Sequence, residues 1–135
     1  MDKTLTQFIA EEKEEKKIIE RFEEVLISFH DAFELEQPPK KEEVIISLDK
    51  LKSACSELLK VKKSQKKRMP AQFQADISAF ILLLIRTMRL IDETTQQHDY
   101  NAESIDRILK ELTKLKEIIE TLISKALKPQ AKKAA

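Results

Sequence analysis

The chain has 135 residues, 41% hydrophobic and 36% charged, with a formal net charge of +1 and no glycine. Average usage of about 7% would supply roughly nine glycines; their absence excludes a P-loop, a dinucleotide fingerprint and a glycine-flanked nucleophile elbow, which need positive φ or close backbone approach. The single cysteine excludes an intramolecular disulfide, and the longest apolar run, Ala79 to Ile85, is seven residues, against roughly 20 needed to span a bilayer.

The first predicted helix carries the stripe Ile19, Phe22, Leu26, Phe29 and Phe33, in steps of three and four. Thr4 and Gln7 stand at capping-box spacing. Followed backwards, the stripe reaches Glu15, Glu12, Phe8 and Leu5, so two carboxylates occupy core-facing positions within "EEKEEKK". Burying them unpaired is costly. Residues 1–17 are therefore expected to form an acidic helical extension beyond a bundle of residues 18–128. Leu5, Phe8 and Ile9 would be its apolar tip, and these three with Glu12 and Glu15 would meet a partner or a second subunit. The same opening stretch, briefly apolar and then acidic, does not read as a secretory signal. With the lone thiol it gives the expectation of a cytoplasmic protein, export by a signal-less route remaining open.

The second helix follows Pro38-Pro39, with Glu42 and Glu43 at its positive end and a stripe of Val44, Leu48, Leu51, Cys55 and Leu58. It ends in "KVKKSQKKRMP". Lys60, Lys62 and Lys63 suit the negative end of that helix. Lys66, Lys67 and Arg68 fall just ahead of the third helix, where helix stability would not choose bases. Together Lys62, Lys63, Lys66, Lys67 and Arg68 are a candidate anion site. No aromatic residues are interleaved with them, which argues against nucleic acid, and Met69 and Phe73 make a poor membrane anchor. The acidic first helix, on the same end of the bundle, is the nearest partner for these bases.

The third helix has Pro70 near its first turn and the inward stripe Phe73, Ile77, Phe80, Leu84, Met88 and Ile91. On this helical wheel Leu82 points outward beside Ala75 and Ala79, Leu83 and Leu90 lie on one flank, and Arg86 and Arg89 border the outward side. A helix apolar all round is normally buried all round, so this face is expected to be an interface, most simply with a second copy. The fourth helix, capped by Asn101 and stopped by Pro129, repeats Ile105, Ile108, Leu112, Leu115, Ile119, Leu122 and Ala126. Residues 129–135 form a basic tail.

Four stripes of matched length with short connections predict an all-α, antiparallel up-down-up-down four-helix bundle. That likeness is architectural and brings no function with it. His30-Asp31 and His98-Asp99 share one end near Glu34 and Glu36, which keeps metal binding as an alternative, though neither histidine sits in E-x-x-H. Cys55 lies on a core stripe and reads as a buried thiol. No nucleophile, base and orienting group form a set, so no enzyme and no cofactor are expected. The expectation is a self-associating module that binds another protein: an adaptor, a chaperone-like factor or an inhibitor, as a homodimer. Binding of an anionic membrane or nucleic acid through the basic junction is the alternative.

Overall fold

A computed structural model describes residues 2–128 of the chain. α1 spans Lys3–Glu34, α2 Lys41–Arg68, α3 Ala71–Gln97 and α4 Ala102–Leu127. This is the four-helix bundle that the stripes predict, with no strand among the described residues. The basic tail and the stop at Pro129 lie outside the described residues.

α4 follows its pattern most closely. All seven residues of its stripe are buried, and the Asn101 side chain accepts the Ser104 N–H at 2.9 Å. α1 begins differently from expectation. Asp2, not Thr4, is its cap, accepting from Thr4 N at 2.6 Å and Leu5 N at 3.4 Å. Aspartate is the stronger cap, and its charge suits the positive helix end.

A chain without glycine must turn its helix ends with other residues. Glu36 (φ 58°) and His98 (φ 54°) take the left-handed conformation after α1 and α3. After α3, His98 N donates to Thr95 O (3.3 Å) and Asp99 N to Thr94 O (3.0 Å). After α1, Glu36 N donates to Phe33 O (3.1 Å) and Gln37 N to Ala32 O (2.9 Å). Both are Schellman closures, where a Cβ costs on the order of 1 kcal/mol.

α2 runs further than its apolar stripe, leaving only Met69 and Pro70 before α3. Lys66, Lys67 and Arg68 are therefore the last turn of α2, where cations complement the helix dipole. They do not stand at the positive end of α3, where the sequence pattern alone puts them and where bases lack a reason. Gln74 Nε2 closes the turn by donating to Lys66 O and Met69 O, both at 2.8 Å.

Around the bundle, α4 packs between α1 and α3, and α3 packs against α2, while α1 and α2 close the ring more loosely. Ion pairs tie the tighter seams: Lys16–Glu120 (3.3 Å) and Glu23–Lys116 (2.7 Å) join α1 to α4. Asp76–Lys125 (2.5 Å) and Arg86–Glu111 (2.9 Å) join α3 to α4, and Lys52–Asp92 (2.6 Å) joins α2 to α3. The main core gathers residues such as Leu26, Leu48, Phe80, Leu84, Ile108 and Leu112.

A second core corrects the expected extension at residues 1–17. Leu5, Phe8 and Ile9 are buried with Met69, Phe73, Ile77, Leu122 and Ala126, and the Phe8 and Phe73 rings meet edge-on at 5.4 Å. Each such side chain gains about 1.5–3 kcal/mol on burial. The first turns of α1 are thus part of the bundle and cannot serve as a free apolar hook.

Candidate functional site

Between the two cores lies a polar layer built by α1 and α2. Continuing the α2 stripe past Leu58 in the same steps gives Lys62, Gln65 and Met69, all buried. The α1 stripe supplies Glu12 and Glu15 at the matching level, also buried. The Lys62 ammonium contacts Glu12 Oε2, lies 3.0 Å from Glu15 Oε1, and donates to Gln65 Oε1 at 2.9 Å. Gln65 Nε2 donates in turn to Glu12 Oε2 and Glu11 Oε1, both at 3.1 Å. Arg68 Nη2 meets Glu11 Oε1 at 2.7 Å nearer the surface. The ammonium also lies 4.6 Å from the Phe80 ring centroid and 5.8 Å from that of Phe8, where the ring faces favour a cation.

The layer holds two carboxyls against one ammonium. Burial pushes the Glu15 carboxyl up to about 8, the Lys62 charge lowers it and the Glu12 carboxyl raises it again. Protonating Glu15 removes the excess acid. Neither Glu15 oxygen has a hydrogen-bond partner among the described residues, despite the short approach to Lys62, and Glu12 Oε1 has none either.

Beside this layer, the loose α1–α2 seam opens into a groove of about 500 Å³. Ala10 and Ile18 of α1 and Leu58 and Val61 of α2 give it apolar walls, and every ionisable residue lining it is a glutamate: Glu11, Glu14, Glu15 and Glu57.

The outward face of α3 is open as predicted by the wheel. Leu82 is 68% exposed, and Ala75, Ala79, Arg86 and Arg89 are exposed around it. Leu83 and Leu90 are half-buried and pack on the main core, so they contribute only an edge. Arg86 is held by the buried Glu111.

Several expected site residues are engaged within the bundle. Leu5, Phe8, Ile9, Glu12 and Glu15 are buried, which removes them from any partner interface in this structure. Lys62 is buried with its glutamates and drops out of the candidate anion site, while Arg68 is shared with Glu11. Lys63, Lys66 and Lys67 remain exposed. His30 lies 3.9 Å from Asp31 and 3.7 Å from Glu34, and His98 packs near Tyr100. Among the described residues no three His, Cys, Asp or Glu side chains gather where they could hold a metal. Cys55 is buried, and desolvation pushes its thiol up to about 12, far from the thiolate that chemistry would need.

Among the described residues no helix is long and apolar enough to cross a membrane. Comparison with protein-family models, curated proteins and solved structures gives no match for this chain.

Proposed function

We propose that the protein is a non-enzymatic protein-interaction module, an adaptor, chaperone-like factor or inhibitor that works by docking a helix face, and that it resides in the cytoplasm. The observation that carries this reading is the outward face of α3. Leu82 is 68% exposed at the centre of a surface made by Ala75, Ala79 and the bordering Arg86 and Arg89. Small residues beside one large apolar side chain let a second helix approach closely, and the arginines can orient it from the rim. A second copy is the simplest occupant, since a two-fold axis pairs the same patch with itself.

Sedimentation equilibrium of the parent and of a Leu82→Glu variant tests this. The parent is expected to be a dimer and the variant a monomer with unchanged helix content. A monomeric parent would remove self-association.

The exposed Lys63, Lys66 and Lys67 support a second reading, binding of a polyanion at the end of α2. Only these three of the five candidate bases are uncommitted, against the acidic Glu11 and Glu14 nearby. Salt-dependent binding of nucleic acid or anionic vesicles, lost on changing all three to glutamate, would favour it.

A further inference from the structure

We propose that the α1–α2 groove is a docking site for a basic amphipathic helix of a partner protein, separate from the α3 face. The groove lies on the one seam that the bundle closes loosely, so it offers a fifth helix the place that a tighter neighbour would fill. Its lining on α1 runs from Gln7 to Ile18, about 16 Å of helix. That length accommodates the roughly two turns over which an amphipathic helix sets anchors at i, i+3/i+4 and i+7. Ala10, Ile18, Leu58 and Val61 receive the apolar stripe.

The charge of the lining selects the partner. Glu14 has no ion-pair partner among the described residues, and Glu57 pairs only with the equally exposed Lys60 at 3.2 Å. Glu15 also borders the groove, but it is buried against Lys62 and belongs to the polar layer. A lysine or arginine flanking the partner's apolar stripe meets the exposed Glu14 and Glu57 at the rim of the groove, and an acidic helix is repelled by both. A second copy of this chain is a poorer fit, because its own groove is acidic and like surfaces would meet across a two-fold axis.

The test uses the full chain and two fluorescent peptides with the same leucine stripe at helical spacing, one flanked by lysines and the other by glutamates. Anisotropy should show the lysine peptide binding at least about tenfold more tightly than the glutamate peptide, a difference of about 1.4 kcal/mol. Glu14→Lys with Glu57→Lys, both at exposed positions, should weaken the lysine peptide by a similar factor. Glu103→Lys, an exposed acid outside the groove, and Leu82→Glu should leave it unchanged. Equal binding of the two peptides, or equal loss from Glu103→Lys, would overturn the proposal by showing unspecific attraction. Conversion of a dimer to a monomer by the Glu14→Lys, Glu57→Lys variant would overturn it in favour of a second copy in the groove. The α3 reading can fail in the Leu82→Glu experiment while this one stands, and the reverse.

Discussion

Along the α3–α4 side of the bundle, Phe73, Ile77, Leu122 and Ala126 bring apolar surface together layer after layer. Across the α1–α2 seam, the same kind of stripe position carries Glu12 and Glu15 on one helix and Lys62 and Gln65 on the other. The two solutions differ in what they demand. Apolar layers tolerate small shifts, since burial is non-directional. A buried ammonium bonded to Glu12 and Gln65 with the Glu15 carboxyl beside it does not, because a step in register would leave desolvated charges unpaired. The polar seam therefore adds alignment more than adhesion, in keeping with its looser packing.

Breaking one member on each side exposes the difference most sharply. Lys62→Ala strands two buried carboxyls and should destabilise the fold by about 3–5 kcal/mol. Leu112→Ala in the apolar core should cost about 2–5 kcal/mol. Urea titration measures both, and the distinguishing feature is rescue. Adding Glu12→Leu and Glu15→Leu should restore most of the Lys62→Ala loss, whereas they should do nothing for Leu112→Ala beyond their own effect. Lack of rescue would mean that Lys62 acts through packing alone.

Replacing the whole set sharpens the comparison further. Glu12→Leu, Glu15→Leu and Lys62→Met together convert the polar layer into an apolar one of similar volume. Such replacements are often neutral or stabilising by about 1–4 kcal/mol. If the layer sets alignment, the triple variant should keep or gain stability while its amide spectrum broadens or doubles as alternative registers become accessible. A single sharp spectrum at raised stability would show that the apolar layers alone fix the register.

The fold was legible because stripes at steps of three and four need no knowledge of partners. Ile105 through Ala126 announce a helix and its buried face at once. The polar layer was half legible. Glu12 and Glu15 stood out as carboxylates on a core stripe, but read alone they suggested a segment held away from the core. Their compensation lies 50 residues away, where Lys62 looked like one base in a basic run. Extending the α2 stripe from Leu58 by four and then three residues would have placed Lys62 and Gln65 on the inward face. The two interruptions would then have matched in level across antiparallel helices. The groove had no such signal, because it arises from how loosely two helices pair and not from any one residue's period.

Glu15 supplies the finest test of the polar seam. Its carboxyl has an ordinary value of 4.5 and stands at about 8 in the folded chain, chiefly through burial. The folded state therefore binds this proton more tightly than the unfolded state does. The resulting stability is fully present below 4.5 and is lost as pH rises through about 8. The loss can be no steeper than about 1.4 kcal/mol per pH unit. Glu15→Gln keeps a neutral polar group at the position and removes the titration. Unfolding free energies of the two proteins should be close near about pH 5 and should diverge towards about pH 9, with the glutamine variant the more stable. The difference between the proteins is the informative quantity, because titrations elsewhere in the chain cancel in it. A constant difference across that window would mean that Glu15 stays ionised against Lys62 throughout. The layer would then carry its excess negative charge into the core at neutral pH, and the apolar replacement should gain correspondingly more stability.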